Sequence, residues 1–388
     1  MIVLSGADVV LPDRLLSPGT VVVDGDRIVD VTAGGSADLH GHFIVPGFID
    51  VHVHGIGGHD TQDDAGAVAR IASLLPRHGT TAFCPTSIAC PPDVLRRLLT
   101  AVAAAREQRA PGAARVLPAH LESNFLNPEY KGAQPLDHLR LPNAWRDDGT
   151  FTGADILEVI AAARPHVGIV TVAPEIEGGL DLIQLLVRDG HHVSLGHSGA
   201  TYEHATAGIE AGATQATHLF NRMPPIGHRV PGLAAAVLES DEIAAELVCD
   251  TIHVHPAVMR VAIAAKGPSR MMAITDGTAG AGLPPGSSAV IGGRRITVRQ
   301  AAYLDDGTLA GSVLTMDRAF SKLVTAVGLT LVDAATLCST TPARELRMHG
   351  LGVIAPGAMA DIVLLDRDLN VVRTYVAGEL AWSGPTDN

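Results

Sequence analysis

The chain has 388 residues, of which 47% are hydrophobic, and it carries a formal net charge of -13. This length can enclose a large apolar core and allows one barrel with a smaller domain beside it. The acidic balance, without any cluster of Lys and Arg, argues against a nucleic-acid partner, which requires a basic surface. No segment reaches the ~20 apolar residues of a membrane span and no secretory signal is recognisable, so we expect a cytoplasmic protein without a membrane partner.

Both ends of the chain have the pattern of a small β domain. Short runs of Val, Ile and Leu alternate with turn residues up to about residue 47, as around Asp24-Gly25. Apolar alternation joined by Asp-Gly is typical of β-hairpins. The same pattern returns near the carboxyl end. We therefore predict one β-sandwich domain built from residues 1–47 and 356–388.

The segment between them, residues 48–355, has a repeating strand and helix pattern. Ala- and Leu-rich stretches at residues 94–106, 156–163, 180–188 and 204–211 are predicted helices and supply the crossovers that parallel strands require. Eight short apolar runs are predicted strands: residues 48–54, 80–86, 116–122, 167–173, 192–197, 215–220, 245–250 and 271–276. Eight such units favour an α/β fold of the TIM (β/α)8 type, although a doubly wound sheet has a similar periodicity.

Side chains that commonly ligate metals stand where five of these strands end: His52, His54, Glu122, His197, His218 and Asp276. His52 and His54 alternate with valines, so both imidazoles lie on one face of their strand. Residues that end the first, third, fifth, sixth and eighth strands meet only if the sheet closes, and this favours the barrel. The pattern predicts a hydrolytic metal centre at the barrel mouth, while solvated histidines, a capping glutamate and a structural Asp-Gly turn remain as alternatives.

Several longer motifs make the chain resemble the amidohydrolase superfamily, and within it the N-acetylglucosamine-6-phosphate deacetylases. The His-x-His element marks only the superfamily, whereas Thr-His-Leu-Phe-Asn and Leu-Ala-Gly-Ser are more specific to the deacetylases. The motifs that carry the resemblance cover nearly the whole length: residues 45–55, 120–122, 125–133, 195–198, 217–221, 228–233, 252–256, 275–276 and 309–316.

The resemblance implies a metal centre with a separate acid/base. Glu122, His197 and His218 would hold the main divalent ion, and Asp276 would take a proton from the attacking water and pass it to the leaving amine. His52 and His54 would form a second metal position, which some members of the family have lost. We expect one or two ions per subunit, with zinc first and iron or another divalent metal as alternatives.

The resemblance also implies contacts to an amino-sugar phosphate, which the enzyme would cleave to the free amine and acetate. Arg229 and His253 are expected to reach the phosphate across the interface of a homodimer, since guanidinium binds phosphate well. N-acetylglucosamine 6-phosphate is the expected substrate, and glucosamine 6-phosphate the product. The expected substrate contacts are Ala133, Gln134, Asn221, Arg222, Leu309, Ala310 and Gly311.

The chain departs from the family at four positions near these motifs: Ser123, Asn124, Gln134 and Thr251. Gln134 stands where the family has a histidine that polarises the substrate carbonyl, and losing a cationic donor costs about 1–3 kcal/mol in the transition state. We expect these changes to surround the substrate rather than the metal. Two alternatives therefore stay open: an amidohydrolase for another N-acyl amino sugar or a cyclic amide, and a catalytically silent binding protein on the same fold.

Overall fold

The computed structural model describes residues 1–142 and 150–384, and strands from both ends of this range pair in one sheet. The sheet has seven strands: Ile2–Val10, Leu15–Asp24, Arg27–Ala33, Phe43–Pro46, Ile362–Leu365, Val371–Val376 and Glu379–Ser383. The two ends meet where Ile362–Leu365 lies antiparallel to Phe43–Pro46. The last predicted residues, 385–388, lie outside the described residues, and the exact division of the chain into two domains stays a prediction.

The central sheet is a nearly closed α/β barrel of eight parallel strands, as predicted. They are β1 Phe48–Val53, β2 Thr80–Ser87, β3 Ala119–Leu121, β4 Val167–Val172, β5 His192–Leu195, β6 Gln215–Ala216, β7 Ala244–Val248 and β8 Met271–Ile274. Closure occurs at the carboxyl ends of β1 and β8, where Val53 pairs in parallel with Gly277 and the Gly277 carbonyl accepts the N–H of His54 at 2.8 Å. The strand ends therefore form one ring.

Helices surround the barrel and include the four that the sequence predicts. One of them begins at a capping box, in which the Thr152 side chain and the Asp155 side chain each bond the other's backbone N–H. The α-helices are Ala67–Leu74, Pro92–Glu107, Gly153–Ala162, Gly179–Arg188, Tyr202–Glu210, Gly232–Glu239, Pro256–Lys266, Met316–Lys322, Leu331–Ala335 and Thr341–Glu345. Shorter 3-10 and π-helical segments are Leu75–His78, Pro128–Tyr130, Leu136–His138, Pro268–Arg270, Leu323–Val327 and Thr336–Thr340. None of the helices in the described ranges is long and apolar enough to cross a membrane.

Two predicted strands differ from the observed ones. The run over residues 116–122 is split into Arg115–Val116 and β3, because Pro118 between them has no N–H to give to a ladder. The run over residues 215–220 ends at Ala216, since His218 and Phe220 have positive φ values of 31° and 75°. Glu122 and His218 therefore lie just outside the strands, and His218 lies in a turn.

The segment after β8, expected as a functional loop, contains a small antiparallel sheet of three strands: Ser288–Ile291, Arg294–Val298 and Ala302–Leu304. Gly292 and Gly293 form the two-residue turn of its hairpin with φ values of 52° and 78°, a conformation that favours glycine. Its apolar side chains, among them Ile291 and Ile296, pack with Ile88 and Ala310 near the barrel mouth. Two shorter pairs of residues, Gly55–Ile56 and His59–Asp60, form a further hairpin.

Candidate metal centre

Three of the predicted site residues sit directly after barrel strands in a left-handed backbone conformation. The φ values are 46° for His197, 31° for His218 and 49° for Asp276. Residues other than glycine rarely adopt positive φ, and such strain is concentrated at functional sites. This conformation ends each strand and leaves the three side chains together at the barrel mouth, where all are buried.

The first ligand group consists of Glu122, His197 and His218. The Oε1 atom of Glu122 lies 2.6 Å from Nε2 of His197 and 2.8 Å from Nε2 of His218, and the two nitrogens are 3.1 Å apart. Burial raises the pKa of Glu122, but the two histidines outweigh it and hold this pKa well below its usual range. Three ligand atoms from three different strand ends therefore converge on one point.

A second group joins His52, His54 and Asp276. The two Nε2 atoms are 3.2 Å apart, and Oδ1 of Asp276 lies 3.6 Å from that of His52 and 3.3 Å from that of His54. The prediction that both imidazoles share one face is confirmed. The structure adds that Asp276 belongs to the same cluster, so its carboxylate faces the histidine pair as well as the cavity.

The hydrogen bonding in the first group fits a bound cation. Nδ1 of His197 lies 2.8 Å from the carbonyl oxygen of Tyr130, which can only accept, so this nitrogen carries the ring proton. In the neutral ring Nε2 then directs a lone pair at the Glu122 oxygen, itself an acceptor. A divalent cation bound between the two atoms satisfies both acceptors, as a second proton on the His197 ring also would, and two imidazoles with one carboxylate suit a divalent transition metal.

Two buried residues beside the ligands, Glu246 and His120, have no role in the sequence prediction. Glu246 accepts a hydrogen bond from Nδ1 of His52 at 2.9 Å and from the backbone N–H of His218 at 3.2 Å. Burial lowers the pKa of His52, but Glu246 and other carboxylates outweigh it and raise this pKa to about 10. The only sequence signal was a single carboxylate inside the apolar run Ala244–Val248.

A cavity of about 430 Å³ opens over both groups. Its lining includes most of the predicted substrate contacts: Ala133, Gln134, Asn221, Arg222, His253, Leu309, Ala310 and Gly311. Glu122, His197, His218, His54 and Asp276 lie in the same lining, whereas His52 lies beneath it. The volume is in the range of small-molecule sites.

Gln134 is held by the protein itself rather than being free to meet a substrate. Its side-chain oxygen accepts the N–H of Ala89 at 2.7 Å, so its amide nitrogen must face the other way and donates to Oε2 of Glu122. The residue is buried. In this arrangement the amide donor of Gln134 orients a ligand of the first group, and because Gln134 also lines the cavity, its contact with the substrate carbonyl stays a prediction.

Ser123 and Asn124 also serve the loop rather than the cavity. The Ser123 hydroxyl donates to the carbonyl of Thr171, and the Asn124 amide donates to the carbonyls of Cys90 at 2.9 Å and His138 at 2.8 Å. Both residues are buried and neither is part of the cavity lining. The expectation that they surround the substrate is wrong, because their polar atoms are occupied by backbone carbonyls.

His253 and Arg229 occupy different places. His253 lines the cavity of its own chain, where Nδ1 lies 2.6 Å from Oδ2 of Asp250, and its contribution across an interface stays a prediction. Thr251, which follows Asp250 in the chain, adopts a φ of 67°, and its hydroxyl lies 3.1 Å from the Lys322 ammonium. Arg229 is exposed, contacts His228, and is absent from the cavity lining, so its role across an interface stays a prediction.

Comparison with known proteins decides the family. The model of the amidohydrolase family matches residues 43–381 of the chain. The chain belongs to this family. The resemblance seen in the sequence motifs is thereby confirmed, and the barrel with its strand-end histidines is the family fold.

The relatives of this chain include several sugar-phosphate deacetylases. The N-acetylglucosamine-6-phosphate deacetylase of Mus musculus is 35% identical over 384 residues, which cover 95% of this chain and 90% of the relative. The N-acetylgalactosamine-6-phosphate deacetylase of Escherichia coli O157:H7 is 34% identical over 340 residues, 87% of each chain. The Mycobacterium smegmatis N-acetyl-D-glucosamine-6-phosphate deacetylase, solved as a mutant in complex with N-acetyl-D-glucosamine-6-phosphate, aligns with a TM-score of 0.88 at 33% identity, covering 98% of this chain and 99% of that one.

Proposed function

We propose that the chain is a metal-dependent hydrolase that removes the acetyl group of N-acetylglucosamine 6-phosphate. The observation that carries this proposal is the cavity in which Glu122, His197 and His218 converge beside the Asp276 carboxylate. The family match and the relatives named above support it. The products are glucosamine 6-phosphate and acetate.

Glu122, His197 and His218 would hold the main divalent ion, and His52 and His54 a second one. When bound, such an ion supplies a Lewis acid that polarises the acetyl carbonyl and lowers the pKa of water. We propose zinc as the resident metal, because imidazole and carboxylate donors suit it well, with iron as the alternative.

Asp276 is the proposed acid/base. Its carboxylate takes a proton from the attacking water as the water oxygen bonds to the acetyl carbon. The same proton then passes to the sugar nitrogen as the C–N bond breaks, so one water is consumed and one amine and one acetate are formed. Burial raises the pKa of Asp276, but its hydrogen bond with His54 and the charges of nearby histidines outweigh this and lower it, which keeps the carboxylate ionised and ready to accept.

The rest of the cavity suits a sugar phosphate. Arg222 and His253 supply cationic or donor groups, and Asn221 supplies an amide. Arg229 lies on an exposed loop, where it could contact the phosphate of a substrate bound in a neighbouring subunit. We therefore propose a homodimer in which Arg229 reaches across the interface. A cytoplasmic location is proposed with it, where sugar phosphates are found.

A second candidate substrate is N-acetylgalactosamine 6-phosphate. The relative from Escherichia coli with that name is as similar to this chain, at 34% identity, as many of the glucosamine-named ones. Overall identity therefore does not separate the two epimers. Another N-acyl amino sugar or a cyclic amide, and a silent binding protein, remain as the rival functions.

A substrate panel tests the proposal. Zinc-loaded protein would be given N-acetylglucosamine 6-phosphate, its galactosamine epimer, unphosphorylated N-acetylglucosamine and a cyclic amide, with acetate or ring opening as the readout. The proposal expects the highest kcat/KM for the first compound. A preference for the epimer assigns the second candidate, a preference for an unphosphorylated compound or the cyclic amide rejects the phosphate, and silence toward all four favours the binding protein.

A further inference from the structure

A fully buried carboxylate lies beneath both ligand groups. Glu246 in β7 has no exposed surface. Its Oε2 atom accepts from Nδ1 of His52 at 2.9 Å and from the backbone N–H of His218 at 3.2 Å. One oxygen atom therefore contacts a residue of the second group through its side chain and a residue of the first group through its backbone.

The bond to His52 determines which ring nitrogen is free. A carboxylate only accepts, so Nδ1 of His52 carries a proton, and Nε2 is the ring nitrogen that faces His54 and Asp276 and would bind an ion. Hydrogen bonds of this kind orient a ligating imidazole and make it more basic. The second bond has a separate consequence, because it holds the backbone at the left-handed residue His218.

The surroundings of Glu246 give little compensation for its charge. Oε1 has no hydrogen-bond partner in the described ranges, and Nδ1 of His120 is 3.6 Å away. That Nδ1 donates to the Val51 carbonyl at 3.0 Å, and Nε2 of His120 lies 2.9 Å from the Thr171 hydroxyl. Burial lowers the pKa of His120 to about 4, so the ring is neutral. A buried carboxylate with two donors is costly for the fold alone, and two adjacent ligand groups give it a reason to be there.

We propose that Glu246 is a positioning residue for the metal centre, which orients His52 through Nδ1 and holds the backbone of His218, and so sets the geometry of both ligand groups. This inference rests on the proposed metal-dependent function. It assigns no contact between Glu246 and substrate. Its effect is on metal binding, which can be measured without any substrate.

The test is the zinc affinity of Glu246→Gln. The amide oxygen can still accept from His52, but the negative charge that makes the ring more basic is lost. Zinc affinity of the metal-free protein, measured by competition with a chromophoric chelator, is expected to fall 10- to 100-fold, as is typical when a partner of a metal ligand is removed. Glu246→Asp keeps the charge but is shorter by one methylene, and is expected to weaken zinc in the same direction.

Gln215→Met is the matched control. Gln215 lies in the neighbouring strand β6, is fully buried, and has no hydrogen-bond partner for its amide among the described residues. The zinc affinity of Gln215→Met should stay within about twofold of wild type, since Gln215 forms no hydrogen bond with any of the proposed ligands. The zinc affinity of Gln215→Met measures the general effect of altering a buried polar side chain in this part of the barrel, so any larger loss in Glu246→Gln is specific to Glu246.

Zinc affinity within twofold of wild type in folded Glu246→Gln overturns the proposal. So does a variant that loses unfolding free energy in the metal-free state while its folded form keeps the wild-type zinc affinity, because that result makes Glu246 structural. Failure of both the Gln and Asp variants to fold has the same meaning. If the zinc affinity falls as expected in the Glu246 variants but the wild type releases no acetate from any substrate, the proposed function fails and this inference stands.

Discussion

Replacing Gln134 by alanine separates a residue that orients Glu122 from one that contacts substrate. Gln134→Ala removes the donor to the Glu122 carboxylate, a hydrogen bond to a charged group worth about 1.5–3 kcal/mol. It also leaves the buried N–H of Ala89 without its acceptor at 2.7 Å, which costs a further 1–3 kcal/mol, approximately. The structure therefore predicts a loss of about 2.5–6 kcal/mol in the free energy of unfolding, from the sum of these two contributions.

Urea unfolding of the metal-free protein measures this loss, and chelator competition measures the accompanying fall in zinc affinity. Leu136→Ala is the control on the same loop, because Leu136 is 54% exposed and its truncation should change the unfolding free energy by less than ~0.5 kcal/mol. The reasoning is refuted if Gln134→Ala keeps wild-type stability and zinc affinity but loses kcat. That result would show Gln134 acting on the substrate carbonyl.

Three further predictions concern pH, the loop before His253, and metal removal. Burial raises the pKa of Asp60 to about 6, so its folded state favours the proton, and its contribution to stability falls by about 3 kcal/mol as pH rises from about 4 to about 6. Urea unfolding across this range should show that difference between wild type and Asp60→Asn, and parallel curves would contradict it. Thr251→Gly should leave KM for the phosphorylated substrate within about twofold, because Asp250 holds His253, and a larger change would contradict this. Chelator-treated protein should melt at a lower temperature and recover with zinc, whereas identical melting would argue against a site in the folded state.

The barrel could be predicted from sequence because its signal is local. Each strand is a short apolar run, and ligand-type residues stand where five of the eight runs end, so the order of strands and the set of ligands followed together. The predicted end of the sixth strand was less accurate: the strand was predicted over residues 215–220 but ends at Ala216. The positive φ at His218 depends on tertiary contacts that one sequence does not reveal.

The roles of residues that depend on distant partners were missed or misassigned. Glu246 contacts His52, 194 positions away, and nothing local marks that contact. Gln134 contacts Ala89 and Glu122, and these two hydrogen bonds could be identified only once the loops were placed. The family pattern identifies which positions matter, whereas the partner of a substituted side chain follows from packing.

Acetate release from N-acetylglucosamine 6-phosphate by the zinc-loaded protein, compared between wild type and Asp276→Asn, tests the central claim most directly. The account predicts one acetate and one free amine per substrate for wild type. Turnover should fall at least ~100-fold in the variant, the usual scale for removing an acid/base, while zinc content stays measurable. Wild-type protein that binds metal but releases no acetate, or an Asp276→Asn variant with unchanged turnover, would contradict it.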